Sequence, residues 1–129
     1  KVLIFVAYKR MADRLYAELE QYFKDECTVI HSNKTQNYRL RSIKQFGSGF
    51  CRILVATDVM ARGLDIESVS HVINFDTPKY PENYMHRIGR TGRAEKKGHS
   101  ILFTTEKELE YLKAIESIEK LGGKIKLTK

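Results

Sequence analysis

Residues 2–7 read VLIFVA, an apolar run with no polar residue inside it. A strand with one face in water would alternate apolar and polar side chains, so an unbroken run of this length fits a strand covered on both faces. Moving outward from it, the period changes. Met11, Leu15, Leu19, Tyr22 and Phe23 recur at helical spacing, and Cys27 to Ile30 forms a second short apolar run. Thr35 can cap a helix whose apolar positions are Tyr38, Leu40, Ile43 and Phe46, with Gly47 and Gly49 ending it. Arg52 to Ala56 (RILVA) and His71 to Phe75 (HVINF) read as further strands. Pro81 suits the first turn of a helix carrying Tyr84, Met85 and Ile88. Ser100 to Phe103 is a last strand, followed by a capping box of Thr105 and Glu108. That box opens a helix through Leu109, Leu112, Ile115 and Ile118, which Gly122 and Gly123 stop. Strands alternating with helices predict one α/β domain over residues 1–129, a parallel sheet with helices on both faces.

Composition sets limits on function. The 129 residues are 42% hydrophobic and 30% charged, ordinary for a soluble globular domain. No apolar run approaches the roughly 20 residues needed to span a bilayer, so no membrane partner is expected. Cys27 and Cys51 stand alone, without metal-ligand spacing, and read as buried free thiols in a reducing, cytoplasmic setting. No metal site is expected on this chain. The chain opens directly in a strand without an initiator Met, which suggests an excised domain, expected to be monomeric.

The formal charge of +7 is concentrated. Residues 31–100 hold 12 Lys and Arg against 6 Asp and Glu, leaving a net of only +1 for the two flanks together. A basic excess confined to one stretch favours a polyanionic partner. In an open parallel sheet, ligands sit beyond the carboxyl ends of the strands. Here those ends lead into Tyr8 to Arg10, His31 to Lys34, Thr57 to Leu64 and Asp76 to Tyr80, where much of the polar chemistry lies.

Three stretches carry specific chemistry. ATDVMARGLDI, Ala56 to Ile66, places Thr57, Arg62 and Gly63 where hydroxyl, guanidinium and backbone amide can grip a phosphodiester. Asp65 can accept from sugar hydroxyls, although Asp58 and Asp65 could equally cap a turn or pair with nearby arginines. Gln36 and Arg39, three apart, share a face at the start of the helix that Thr35 caps. HRIGRTGR, His86 to Arg93, spaces Arg87, Arg90 and Arg93 three apart around two glycines. It resembles an anion site, yet the chain has no G-x-x-x-x-G-K-[ST] loop to cradle a triphosphate. His31 and His86 lack, in sequence, the acid and nucleophile neighbours of a hydrolytic triad.

From IFVAYKR through TQNYR, ILVATDVMARGLDI and VINFDTP to HRIGRTGR, the chain resembles the C-terminal RecA-like lobe of a DEAD-box RNA helicase, a superfamily 2 ATPase, with a bacterial source expected. The resemblance covers essentially the whole chain. It implies a protein in which two RecA-like lobes close over ATP and RNA, with ATP and Mg2+ bound mainly by an N-terminal lobe that this chain lacks. It implies Arg90 and Arg93 as arginine fingers, His86 as a catalytic coupling residue against the other lobe, and Arg87 as a brace of the interlobe surface. Asp65 matches the ribose ligand, and Gln36, Arg39, Thr57, Arg62 and Gly63 match positions holding the backbone of single-stranded or duplex RNA. Two positions depart from the family: Tyr8 stands where Thr or Ser is usual, and Ser32 where a glycine is usual.

The function implied is local RNA unwinding or ribonucleoprotein remodelling by the full-length enzyme, the isolated lobe being inactive. The alternatives are a nucleic-acid or protein docking module without turnover, and a lobe of a superfamily 2 DNA helicase.

Overall fold

The computed structural model describes residues 1–58, 60, 69–89 and 98–117. Five strands form one sheet: β1 (Val2–Val6), β2 (Cys27–Ile30), β3 (Ile53–Thr57), β4 (His71–Asn74) and β5 (His99–Leu102). Their order is β2-β3-β1-β4-β5 and every pairing is parallel. Among the described residues four helices accompany them: α1 (Lys9–Phe23), α2 (Gln36–Ser48), α3 (Pro81–Ile88) and α4 (Leu109–Ser117). The expected α/β sheet is present, with strand bounds shifted by about one residue.

The strand order explains why β1 had to be apolar throughout. It lies at the centre, between β3 and β4, so both of its faces meet helices. The step from β1 out to β2 runs opposite to the steps that follow, and right-handed crossovers then place α1 on one face and α2 on the other. The packing agrees. Ile4, Val6, Val29 and Val55 meet Ala12, Leu15 and Leu19 of α1, while Leu3, Phe5, Leu54 and Ala56 meet Phe46 and Ile43 of α2. A third cluster joins Leu102 of β5 to Tyr84 and Ile88 of α3 and to Leu112 and Ile115 of α4.

The helix ends follow the sequence where local chemistry decides them. Thr35 Oγ1 accepts from the Tyr38 amide at 3.1 Å. α2 runs through Gly47 instead of ending there, and stops at Gly49, whose φ of 88° is the left-handed conformation that favours glycine. The capping box of Thr105 and Glu108 forms on a 3-10 turn, Glu106–Glu108, ahead of α4. Glu108 also accepts from the Thr77 amide at 2.8 Å, tying α4 to the loop after β4. Ile118, Gly122 and Gly123 lie outside the described residues.

Some apolar residues expected inside are not. Tyr22, Phe23, Leu40 and Met85 are exposed: Met11, Leu15, Tyr16 and Leu19 pack the sheet from α1, Ile43 and Phe46 pack it from α2, and on α3 Arg87 is buried where Met85 is not. Among the described residues no helix is long and apolar enough to cross a membrane.

Candidate nucleic-acid interface

The carboxyl ends of β1, β2 and β3 lie side by side and open onto a cleft of about 590 Å3. Its walls are Tyr8, Lys9 and Arg10 after β1, Ser32 after β2, and Thr57 and Met60 at the end of β3. Thr57, at the last position of β3, is buried and lines the cleft. Lys9 and Arg10 open α1 and are exposed. Among the described residues, the charged side chains lining the cleft, Lys9 and Arg10, are both cations.

Two sets of hydrogen bonds hold the walls. The first fixes the loop after β2. The Asn33 amide donates to His31 Nδ1 at 3.1 Å, which leaves the ring proton on Nε2 to meet Asp13 Oδ1 at 2.8 Å. Lys9 Nζ donates to Asn33 Oδ1 at 3.2 Å, so both partners of the loop come from α1. His31 thus has the acid neighbour that its sequence surroundings did not show, but its other nitrogen is taken by backbone. The pair positions a loop and activates no nucleophile. Ser32 does not need the glycine that the family resemblance led us to expect, since Lys24 is the sole non-glycine residue at positive φ among the described residues.

The second set centres on Arg87. Its side chain is 1% exposed, and its Nε and Nη2 donate to Asp58 Oδ1 and Oδ2 at 2.7 and 2.8 Å. Nη2 and Nη1 also donate to Asp76 Oδ1 and to the Asp76 carbonyl, each at 2.9 Å. Asp76 Oδ2 in turn accepts from the Ala7 amide at 2.6 Å. The guanidinium lies over the Phe5 ring, 5.4 Å from its centroid. Burial disfavours its charge, but the hydrogen bonds and charges of Asp58 and Asp76 outweigh that and raise its pKa. Arg87 therefore joins the loops after β1, β3 and β4 to α3 from inside the domain. All the contacts described for Arg87 lie inside this domain. Asp58, left open between a cap and an ion-pair partner, is the ion-pair partner.

The other expected site residues divide in two. Gln36 is exposed in the first turn of α2, and Arg39, one turn on, is half-buried with Nη1 2.9 Å from Met60 Sδ at the cleft wall. His86 is exposed in the last turn of α3. Arg62, Gly63, Asp65, Arg90 and Arg93 lie outside the described residues. Among the described residues no group of three or more His, Cys, Asp or Glu side chains is placed to hold a metal ion. Sequence reasoning placed Tyr8 to Arg10 and His31 to Lys34 beyond strand ends, where ligands sit, but did not name Lys9, Arg10 or Ser32 as site residues.

Both cysteines are buried and free. Burial, with Cys51 and Glu20 nearby, pushes the Cys27 thiol up to about 12, and burial beside Asp25 and Glu26 raises Cys51 as well.

Comparison with known proteins converges on one family. Residues 1–95 match the model of the helicase conserved C-terminal domain. The chain is 55% identical over 118 residues to the DEAD-box ATP-dependent RNA helicase CshA of Bacillus cereus, covering 92% of this chain and 22% of that protein. It spans about a fifth of the length of the curated relatives it matches. The solved C-terminal domain of the DEAD-box protein Dbp5 superposes with a TM-score of 0.84 at 36% identity, covering 98% of this chain and 73% of that one. Domain 2 of the Mss116p DEAD-box helicase, solved bound to an RNA duplex, gives a TM-score of 0.85 at 34% identity, covering 100% and 52%.

Proposed function

Given that the chain belongs to the helicase conserved C-terminal domain family, as the C-terminal RecA-like lobe of a DEAD-box RNA helicase, we propose that it is the RNA-gripping and ATP-triggering half of an ATP-dependent RNA helicase. The observation that carries this reading is the cleft at the carboxyl ends of β1 to β3, lined by cations and hydroxyls and joined to α3 through Arg87. Lys9, Arg10 and Thr57, with Gln36 and Arg39 alongside, hold the phosphates and 2′-hydroxyls of a single strand, a grip that is sequence-tolerant and salt-sensitive. Arg62 and Gly63 join them as the chain continues past β3.

ATP with Mg2+, held mainly by an N-terminal lobe, supplies the phosphoryl group whose transfer to water drives release of the RNA. Asp65 accepts from its ribose, Arg90 and Arg93 donate to its γ-phosphate, and His86 meets the other lobe. The described residues suit that division, offering hydrogen-bond donors and an exposed His86 at the end of α3. Because Arg87 fixes α3 to the loop walls of the RNA cleft, a shift in one is felt by the other. Duplex binding by domain 2 of Mss116p supports RNA as the partner of this lobe.

The test is turnover. The isolated chain should show no ATPase above background, and robust hydrolysis by it alone would sink the half-site reading. In the full-length protein, Arg93→Ala should leave ATP binding intact and lower turnover by roughly 10³-fold or more, the contribution of an arginine finger. Turnover within a few-fold of wild type would remove Arg93 from that role.

A further inference from the structure

Tyr8 breaks two local rules without a structural return. It is the N-cap of α1, with φ −123° and ψ 140°, a place where Ser, Thr, Asn or Asp would bond a free amide, and its side chain makes no cap bond. Its ring is 74% exposed, so it adds nothing to the core either. A residue that serves neither helix nor packing points to function.

Its surroundings say which. Tyr8 lines the cleft of about 590 Å3, next to Lys9 and Arg10 and across from Thr57 and Ser32. That volume suits a small ligand or a nucleoside unit. Cations beside an exposed aromatic ring are the combination by which proteins hold single strands, phosphate on the charge and base on the ring, and stacking accepts any base because every base has a π-face. We propose that Tyr8 is a stacking platform for one unpaired base of the strand held in this cleft. The lobe thereby gains a base contact in addition to its grip on the backbone. The proposal rests on the reading of the cleft as the RNA groove. Stacking strength rises with ring area, so the contact favours purines.

The experiment is equilibrium binding of short fluorescent oligo-A and oligo-U ribonucleotides to the chain, across a salt series, with thermal unfolding of each variant in parallel. Tyr8→Ser should unfold at a higher temperature, because it restores a cap, yet bind oligo-A at least about fivefold more weakly and lose the preference for oligo-A over oligo-U. Tyr8→Phe should bind like wild type. Neither variant should alter the slope of log affinity against log salt, since no charge changes.

Opposite signs for stability and affinity separate a binding role from a structural one. If Tyr8→Ser binds both oligomers like wild type, or if Tyr8→Phe loses as much as Tyr8→Ser, the platform is overturned while the groove stands. An aromatic anchor for a protein partner would give the first of these results. If neither oligomer binds wild type, or Lys9→Ala leaves affinity and salt slope untouched, the groove reading falls first and takes the platform with it.

Discussion

Arg87 and Asp58 meet through two parallel hydrogen bonds, Nε to Oδ1 at 2.7 Å and Nη2 to Oδ2 at 2.8 Å, with the arginine buried and the carboxylate partly exposed. Such a fork is specific to the planar guanidinium. Removing the arginine would leave two partly buried carboxylates, Asp58 and Asp76, without the cation they share. Arg87→Ala should cost about 3–5 kcal/mol, the typical penalty for breaking a buried pair from one side. That is a large share of the roughly 5–15 kcal/mol available to a domain. Arg87→Lys keeps the charge but not the fork and should fall between. Urea unfolding midpoints decide it, and an Arg87→Ala loss below about 1 kcal/mol would mean the hub holds nothing together.

That hub also marks where sequence reading stops. The strands were legible because a sheet covered on both faces must be apolar continuously, and Val2 to Val6 is. The caps were legible because Thr35 and the Thr105 and Glu108 pair act over three residues. On α3 the apolar period pointed Met85 inward, but Met85 is exposed and Arg87 is buried. Its acceptors come from residues 58 and 76, and no local period encodes a convergence of separate loops. The cleft is the same kind of object. Tyr8, Ser32 and Thr57 become neighbours only because β3 lies between β1 and β2. Gln36 and Arg39 were singled out by their shared helix face and, with His86, given roles through family resemblance, and the described geometry places Arg39 against Met60 of the cleft wall and His86 at the surface.

Cys27 gives a pH dependence with a definite sign. Its thiol moves from an ordinary value of 9.0 to about 12, chiefly through burial. The folded state therefore holds the proton more tightly than the unfolded chain does. Below pH 9 the thiol is protonated in both states and the full stability is present. Between about 9 and 12 the unfolded state releases its proton first and stability falls as pH rises. Cys27→Ala should start less stable at neutral pH, because it leaves a small void, but its stability should decline less steeply over that window. Parallel slopes for the two proteins would show that Cys27 does not set the alkaline limit. Thiol-directed alkylation of the native chain should likewise be slow at neutral pH.

Lys24 is a point of backbone strain. At the end of α1 it adopts φ 48° and ψ −121°, a conformation costly for any side chain with a Cβ and open to glycine. Relief of roughly 1–3 kcal/mol of strain is offset by the greater freedom glycine has in the unfolded chain, about 0.5–1 kcal/mol. Lys24→Gly should therefore stabilise by about 1 kcal/mol, seen as a rise of a few degrees in Tm. Lys24→Ala keeps the Cβ and should show no such gain. A Lys24→Gly protein that melts below wild type would mean the turn is held by the lysine side chain itself.

Arg39 tests the backbone grip apart from the aromatic one. Its Nη1 rests 2.9 Å from Met60 Sδ, which places the guanidinium beside the cleft, and its Nε is buried with no partner among the described residues. Among the described residues only that sulfur accepts from the Arg39 side chain, which suits a guanidinium whose other terminal nitrogen meets a phosphate. Arg39→Ala should weaken binding of oligo-A and oligo-U by the same factor, since a phosphate contact carries no base information. It should also flatten the plot of log affinity against log salt by about one counterion, the signature of one lost phosphate contact. Tyr8→Ser is expected to do the reverse, abolishing the preference for oligo-A while leaving the slope alone. If Arg39→Ala instead changes base preference at constant slope, the guanidinium stacks on a base. The two side chains would then have to exchange roles in the cleft.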